Sequence, residues 1–476
     1  MKFNGFKYDR CLYCGECFAN CPVVNLSIDT AIEEIMKLIR HDVENSIIFS
    51  RCTTCNVCNL YCPEDALPYE LVLENFNLIA ERRGLPFLAR LVFPDEPHNM
   101  WSLMKHLLPE DEKNLIKKWK INLNNSHETA ILAGFYTNLI PYIADTELLG
   151  NLRDHIIGYE GLFGSGGDMY KLGLLKKTYQ VGLRMKYHLE NIGVKKLYTM
   201  MEPEAAMLKE VYPQRFGIKF DIEIDTVDNL LLQKIKSGEI KIKKPLNMRV
   251  TLHDNCCSRY FNLKPQEISR EIIKLTGNTL VEMKHSREKA LCCGWAATIP
   301  TLYRKKFSIK ETLFYLLYSL YVRIKEAEES GADALVTSCH ACTIFLTLMA
   351  ELLNSNLKIL HIQELVRLAS GEDYRSRINE RVWDLLAIVI NLVVEWIRSP
   401  SGEKYFFSKE TPPFGTIEID ASENEIKRTK LVRSSIEKLR KNNLFRNQLS
   451  MILKRSLEFY GKFTNRKIEG GNLVGL

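Results

Sequence analysis

The chain has 476 residues, of which 46% are hydrophobic and 26% are charged. The length predicts about three domains, and the composition is that of a globular protein with a substantial core. A net charge of +7 is too small to indicate nucleic-acid binding by itself, and no apolar run is long enough to predict a membrane-spanning helix. The first ten residues have no apolar segment typical of a secretory signal, so we expect a cytoplasmic protein.

Fourteen cysteines are the most informative feature of the composition. In a chain expected to be cytoplasmic, this number indicates metal binding and not disulfide bonds. Eight of the cysteines form two quartets with the same C-x2-C-x2-C-x3-C-P spacing. The first quartet is Cys11, Cys14, Cys17 and Cys21, and the second is Cys52, Cys55, Cys58 and Cys62.

This spacing is typical of two 4Fe–4S cubane clusters in which the fourth cysteine of each quartet ligates the other cluster. We therefore expect one cluster to be held by Cys11, Cys14, Cys17 and Cys62. We expect the second cluster to be held by Cys52, Cys55, Cys58 and Cys21. A pair of zinc sites is the alternative, but four-coordinate zinc has no use for a third cysteine at this spacing.

The segment between the quartets has a helical pattern. Apolar residues recur at helical spacing from Ile32 to Ile39, and Thr30 with Glu33 resembles a capping box. A second helix is predicted from Tyr69 to Arg83, ended by Gly84. On this helical scaffold, residues 1–84 resemble the α-helical ferredoxin domain of heterodisulfide reductase C subunits and related dehydrogenase subunits.

Residues 85–128 contain several prolines and a charged stretch, and we interpret them as a linker with helical segments. Residues 129–245 contain no cysteine. A strand-like run from Thr129 is followed by Gly164-Ser165-Gly166 and later by Met201-Glu202-Pro203-Glu204. The glycines lack the spacing of a phosphate-binding loop, and Met201 and Glu204 have no neighbours in sequence that would complete a metal site.

Residues 246–371 carry the other six cysteines. A strand-like run from Arg249 to Leu252 precedes Cys256 and Cys257, and a second run from Ala334 precedes Cys339 and Cys342. Between them lie Cys292-Cys293-Gly294 and two helical patterns, 265–276 and 309–330. Alternating strands and helices predict a parallel sheet, with the cysteines gathered at the carboxyl ends of its strands.

This second cysteine set closely resembles the CCG domain of heterodisulfide reductase B subunits. In that family five such cysteines hold a non-cubane 4Fe–4S cluster. The resemblance assigns this role to Cys256, Cys292, Cys293, Cys339 and Cys342. Cys257 is then either a sixth sulfur near the cluster or, as we favour, a buried thiol. A zinc site or a redox C-x2-C pair is the alternative, and either one leaves cysteines unused.

Three residues beside these cysteines, His253, Asp254 and His340, are candidate proton donors. His340 is equally a candidate for hydrogen bonding to a ligand, since residues behind a metal site orient the residues that bind the metal.

CCG domains usually occur in tandem, and residues 129–245 match the pattern with every cysteine replaced. Phe135 stands in the place of the first cysteine, Gly164–Gly166 in the place of Cys-Cys-Gly, and Met201–Glu204 in the place of C-x2-C. We expect this half to keep the fold and to bind no cluster.

Residues 372–476 predict a helical extension. The apolar helix Val382–Ile397 is either a buried packing helix, which we favour slightly, or a docking helix for a membrane subunit. From Lys427 to Lys467 there are 13 lysines and arginines against two glutamates, which predicts a basic amphipathic helix. Such a helix either binds a membrane surface or an acidic partner, or it presents a solvated face. Peripheral attachment to the inner face of the cytoplasmic membrane therefore stays open.

The sequence thus predicts a mixed fold: an α-helical ferredoxin domain, a tandem α/β CCG unit and a helical extension. It resembles a fused C-plus-B-type subunit of the heterodisulfide reductase superfamily, close to the catalytic subunit of dissimilatory sulfur-metabolism complexes. The resemblance implies electron transfer through two cubanes to a non-cubane cluster that reduces or forms a disulfide- or trisulfide-type substrate. It implies partners among other redox subunits, a membrane cytochrome or flavoprotein, or a sulfur-carrier protein, and no nucleic acid.

Two other functions fit the same motifs. One is an electron-transfer subunit of a flavin-linked dehydrogenase, of the glycolate or glycerol-3-phosphate type, relaying electrons to quinone. The other is an assembly or scaffold protein of such a complex.

Overall fold

The computed structural model describes residues 3–93, 99–134, 136–158, 164–295, 309–398, 405–406 and 420–469. Within these ranges a module of short helices is followed by two small parallel sheets with their helices and by a helical C-terminal part. The predicted mixed fold is confirmed. The domain boundaries stay a prediction.

The N-terminal module consists of short helices around the cysteine loops. They are α1 (Glu16–Ala19), α2 (Ile28–Ile39), α3 (Ile47–Arg51), α4 (Val57–Leu60) and α5 (Pro68–Arg83). Pro68 begins α5, where its missing N–H costs no hydrogen bond, and Gly84 ends it with φ of 71°. Both bounds lie close to the predicted ones.

Helix α2 separates the two quartets and buries Ala31, Ile35 and Leu38 on one face. Its N-cap is Ser27, whose hydroxyl accepts a hydrogen bond from the amide of Thr30 at 3.3 Å. The capping box predicted at Thr30 is therefore wrong, because the chain enters the helix three residues earlier.

Residues 85–128 include a short strand and two helices. Strand β1 (Leu85–Pro86) pairs antiparallel with β10 (Tyr405–Phe406). Helices α6 (Met100–Met104) and α7 (Glu110–Asn122) follow, and α7 buries Trp119 in the core. The charged stretch is thus a helix with one buried face.

Two four-stranded parallel sheets form the body of the protein. The first contains β2 (Thr129–Leu132), β3 (Ile156–Ile157), β4 (Lys196–Thr199) and β5 (Glu223–Thr226), in the order β3-β2-β4-β5. The second contains β6 (Arg249–His253), β7 (Thr279–Leu280), β8 (Ala334–Thr337) and β9 (Lys358–His361), in the order β7-β6-β8-β9. The identical order and parallel pairing agree with the sequence repeat, and we call the two units the cysteine-free half and the cysteine half.

Helices connect the strands of both halves. The cysteine-free half has α8 (Gly167–Lys171), α9 (Leu175–Asn191), α10 (Glu202–Ala206), a π-helix (Met207–Phe216) and α11 (Val227–Lys236). The cysteine half has α12 (Lys264–Leu275), α13 (Ile309–Glu329), α14 (His340–Leu352) and α15 (Ile362–Ser370). The two helices predicted in the cysteine half are both present.

The C-terminal part consists of α16 (Ile378–Arg398), α17 (Glu423–Arg440) and α18 (Asn443–Glu469). Helix α16 packs on α14 and α17, and it buries a face that includes Leu385 and Ile388. The prediction of a single basic helix from Lys427 to Lys467 is wrong, because two separate helices, α17 and α18, cover this segment. Among the described residues, no helix is long and apolar enough to cross a membrane.

Candidate metal centres

The two N-terminal cysteine loops follow the same backbone path. Positive φ angles occur two and four residues after the first cysteine of each quartet, at Tyr13 and Gly15 and again at Thr54 and Asn56. A Cβ on Gly15 would lie 2.9 Å from the amide nitrogen of Ile32, so the first loop packs against α2 at a position that only glycine fits. These turns direct the cysteine side chains of each loop to one side.

The fourth cysteine of the second quartet lies beside the first loop. One cavity is lined by Cys11, Cys14, Cys17 and Cys62. Burial and the neighbouring sulfurs, Cys62 foremost, raise the pKa of the Cys17 thiol. Four thiolates held this closely repel one another unless a cation lies among them, so the donor set fits an iron–sulfur cluster.

The remaining quartet cysteines form a second group. Burial and the sulfurs of Cys52, Cys17, Cys21 and Cys55 raise the pKa of the Cys58 thiol. The group therefore includes Cys21 from the first loop together with the three cysteines of the second loop. Cys17 also faces Cys58, so the two groups are direct neighbours. The ligand assignment itself stays a prediction.

The cysteine half presents its sulfurs at the ends of strands β6 and β8, as the sequence predicts. Asn255 accepts hydrogen bonds from the amides of Cys257 and Ser258 and so fixes the turn after β6. Cys339 is the N-cap of α14, and Cys342 lies in its first turn. The Cys-Cys-Gly turn needs φ of 102° at Gly294, where a Cβ would meet Leu320 at 2.9 Å.

All six of these cysteines line one cavity. They are Cys256, Cys257, Cys292, Cys293, Cys339 and Cys342. Cys257 is buried, lies among the other five and hydrogen-bonds Cys256. Its role, a sixth sulfur near the cluster or a buried thiol, stays a prediction. Six sulfurs around one enclosed space fit a cluster with several irons, and each thiolate ligand favours a cation there.

The opposite wall of the cavity comes from the cysteine-free half, which supplies Asp168, Lys171, Met201 and Glu204. The Nζ atom of Lys171 lies 2.8 Å from the Sγ atom of Cys256. Hydrogen bonds from Cys257 and Lys171, together with the charge of Lys171, lower the pKa of the Cys256 thiol. Cys256 is therefore held as a thiolate, which is the form that binds metal.

His253 lies behind the cysteines. Arg323 donates from Nε to His253 Nδ1 at 3.3 Å, which leaves the proton on the other ring nitrogen. The ring hydrogen-bonds the thiol of Cys293, and the ligand atoms of His253, Cys293 and Cys342 lie within 4.8 Å of one another. This arrangement suits a residue that orients a cysteine.

None of the three candidate proton donors lines the cavity. Asp254 binds Arg270 through two hydrogen bonds of 2.7 and 2.9 Å. His340 is fully buried, and its Nδ1 lies 3.0 Å from the hydroxyl of Thr137 in the cysteine-free half. Burial lowers the pKa of His340 well below its usual value, so the ring is neutral. Catalytic roles for the histidines stay a prediction.

The strand register defines which residues of the two halves are equivalent. Thr199 ends β4 beside Leu132, and Thr337 ends β8 beside His253. Counting from these ends, Met201 corresponds to Cys339 and Glu204 to Cys342, as the sequence comparison predicts. Phe135, the predicted counterpart of Cys256, lies outside the described residues.

A buried arginine joins the second N-terminal loop to the cavity. Arg259 donates to the carbonyl oxygen of Cys55 at 2.9 Å and to that of Ala290 at 2.6 Å. Ala290 is two residues before Cys292, and Arg259 is two residues after Cys257. The Arg259 side chain therefore links the backbone beside the second N-terminal cysteine group to the backbone beside the cysteines of the cavity.

Two family models match the chain. A 4Fe–4S dicluster domain matches residues 7–66, and a cysteine-rich domain, CCG, matches residues 250–347. The D subunit of a dihydromethanophenazine:CoB–CoM heterodisulfide reductase from Methanosarcina barkeri is 25% identical over 340 residues, which are 67% of this chain and 77% of that protein. The chain thus carries a 4Fe–4S dicluster domain and a CCG domain, and it is similar over two thirds of its length to a heterodisulfide reductase D subunit. Both matched domains support iron–sulfur clusters in this protein.

Other similar proteins carry different names. The B subunit of a fumarate reductase (CoM/CoB) from Methanothermobacter marburgensis is 27% identical over 399 residues, covering 77% of this chain and 73% of that protein. An EtfAB:quinone oxidoreductase from Syntrophomonas wolfei is 24% identical over 359 residues, covering 60% of this chain. The chain spans about half of that relative, 47% of its length. Several of these relatives are named as subunits of redox enzymes.

Sequence reasoning missed three residues of these sites. Lys171 and Arg259 carry no motif, and Glu204 looked like a structural replacement for a lost cysteine. No signal in the sequence marked Lys171 or Glu204, because only the packing of the two halves brings these side chains to the sulfurs.

Proposed function

We propose that this protein passes electrons through two 4Fe–4S cubanes to a non-cubane 4Fe–4S cluster held by the cysteine half. There, a disulfide- or trisulfide-type bond is reduced, or formed in the reverse direction. The observation that carries the proposal is a single pocket lined by all six cysteines of this half. The opposite wall of this pocket has no cysteine, so one side of a cluster held there would face groups that are not its ligands.

The ligands proposed for the non-cubane cluster are Cys256, Cys292, Cys293, Cys339 and Cys342. When bound, this group would supply single electrons and an iron site for sulfur. Lys171 holds Cys256 as a thiolate, and His253 orients Cys293 by a hydrogen bond. Both contacts favour the charged, ligating form of the sulfur.

The electron path follows the contacts between the modules. The proposed cubane ligands are Cys11, Cys14, Cys17 and Cys62 for one cluster and Cys52, Cys55, Cys58 and Cys21 for the other. Cys17 and Cys58 bring the two groups together, and Arg259 bridges the loop of Cys55 to the cavity loops. Electrons would therefore enter near the N-terminal loops and leave at the cavity.

The residues of the cavity wall also affect which kind of substrate we propose. Because the cysteine-free half has Met201 and Glu204 where cluster ligands would be, only one cluster faces the substrate. We propose a sulfur carried by a partner protein as the substrate, in preference to a small heterodisulfide held between two clusters.

A second function is favoured by one observation. The match to an EtfAB:quinone oxidoreductase fits an electron relay toward quinone, in which the third cluster does no sulfur chemistry. This alternative needs the same clusters but no substrate in the cavity.

One experiment separates the two functions. The full chain is purified without oxygen and oxidised, thiols or a thiol-bearing carrier protein are added, and EPR spectra are recorded. A paramagnetic state that appears only with thiol supports the reductase, and its absence with every thiol favours the relay. An iron content of about eight per chain in place of about twelve would remove the third cluster from both functions.

A further inference from the structure

The cysteine-free half places a carboxyl group at the cavity. Glu204 lies in α10, the short helix after β4, and its side chain is 1% exposed. It lines the same cavity as the six cysteines and stands at the position that corresponds to Cys342. At this position the wall of the cavity therefore presents a carboxyl group to a substrate in place of a cysteine sulfur.

The carboxyl group of Glu204 is only partly satisfied by hydrogen bonds. Its Oε2 atom has no hydrogen-bond partner among the described residues. The other oxygen, Oε1, lies against Gly134, where a Cβ would approach it to 2.6 Å. Gly134 has φ of 68°, so the backbone leaves the space that this carboxyl occupies. A buried polar atom without a partner costs stability, and its retention suggests a use.

Burial, more than the neighbouring charges, sets the protonation of Glu204. Asp168 on α8 is the charged group that faces it, and burial together with Asp168 raises the pKa of Glu204 to about 8. Lys171, also on α8, is engaged by Cys256, while Tyr136 donates to Asp168 at 2.7 Å. Tyr260 and the six cysteines face the same space from the cysteine half. Glu204 is therefore a neutral acid near pH 7, with one proton to give.

We infer that Glu204 is the proton donor to the substrate sulfur that leaves when the sulfur–sulfur bond is broken. This inference rests on the proposed reductase function. In the balanced reaction one S–S bond breaks, two electrons arrive from the clusters, and two protons convert the two sulfurs to thiols. Glu204 supplies the first of these protons to the departing thiolate, and solvent supplies the second and reprotonates Glu204.

The test compares Glu204→Gln, Glu204→Asp and Asp228→Asn with the unaltered protein. Asp228 is the matched control, because it is a buried carboxyl in the same half with a raised pKa that does not line the cavity. Cluster loading is checked by EPR. Reduction by reduced viologen is followed from pH 6 to 9.5 with two substrates, hydroxyethyl disulfide and a disulfide formed on a thiol-bearing carrier protein. Infrared spectra record the carboxyl band of the oxidised protein at pH 7.

The inference predicts that E204Q reduces the disulfide roughly 100-fold more slowly, with normal cluster spectra and a rate independent of pH. The unaltered protein and D228N should lose activity as the pH rises through about 8. E204D should be slower but keep a pH-dependent rate. The protonated carboxyl band that E204Q lacks should be present in the unaltered protein.

Three results would overturn the inference. E204Q could match the unaltered protein in rate and pH profile, which leaves the reductase function standing. The infrared spectra of E204Q and the unaltered protein could be identical in the carboxyl region, which means that Glu204 is ionised at pH 7. The unaltered protein could fail to reduce any disulfide or carrier-bound sulfur, which overturns the reductase function and this inference together.

Discussion

Lys171 and Cys256 belong to different halves of the protein, yet the ammonium group of Lys171 lies 2.8 Å from the sulfur of Cys256. The cysteine-free half thus contributes a positive charge to the site that the cysteine half builds. A half that has lost its ligands still acts on the chemistry of its neighbour through charge and shape.

Replacing Lys171 should make the third cluster harder to reduce. A positive charge next to a ligand favours the more negative, reduced state, so Lys171→Met should lower the midpoint potential. The expected change is about 60 mV, which corresponds to about 1.4 kcal/mol for one electron. EPR-monitored redox titration measures it, with the exposed Lys195→Met as the control for loss of one charge. Equal potentials in the Lys171→Met and Lys195→Met proteins would contradict the prediction.

Removing Arg259 should weaken the contact between the N-terminal module and the cysteine half. Arg259→Met leaves the buried carbonyl oxygens of Cys55 and Ala290 without this donor, at a cost of about 1–3 kcal/mol in the free energy of unfolding. Reduction of the third cluster should also slow relative to that of the cubanes. Anaerobic urea unfolding and rapid-freeze EPR measure the two effects. The half-exposed Arg287→Met is the control, and an unchanged rate with Arg259→Met would argue against this path.

Double substitutions test the exchange of the fourth cysteines. If Cys62 serves the cluster of the first loop, then Cys14→Ser, Cys62→Ser and the double variant should each lose about four irons. Cys58→Ser combined with Cys62→Ser should lose about eight, because it touches both clusters. Iron analysis and EPR measure these losses. A loss of about eight irons in the Cys14/Cys62 double variant and about four in the Cys58/Cys62 one would reverse the assignment.

His361 should make the fold sensitive to acid. Burial lowers its pKa to about 3, whereas an unfolded histidine takes up its proton near pH 6.5. Between these two pKa values the unfolded chain binds one more proton than the folded chain. The contribution of His361 to the free energy of unfolding therefore falls by about 1.4 kcal/mol per pH unit as the pH decreases.

His361→Asn removes this titration and keeps a side chain that can cap α15, as His361 does through Nδ1. From pH 7 to pH 5, the free energy of unfolding in urea should fall by about 1.9 kcal/mol less in the variant than in the unaltered protein. Measurements at pH 8, where both histidine states are neutral, give the reference stability. Parallel slopes for the two proteins would show that His361 titrates alike in both states.

The sequence determined the cysteine groups because their spacing acts over short stretches of chain. Three cysteines within seven residues lie on one loop and can bind the same cluster. A strand followed by Cys-x2-Cys predicts sulfurs at the edge of a sheet. The same local patterns predicted a parallel sheet, whereas the strand order shared by the two halves came from the structure. The cap of α2 and the break between α17 and α18 were missed, since a shift of one helical turn leaves the apolar periodicity intact.

Only the tertiary structure decided what faces the sulfurs. Lys171 lies 85 residues from Cys256 in the sequence, and the packing of one half against the other brings them together. The same packing buries Glu204, so a carboxyl group that would ionise in water keeps its proton at the cavity. Local spacing selects ligands, whereas burial and the approach of distant charges set their protonation, and those depend on the whole fold.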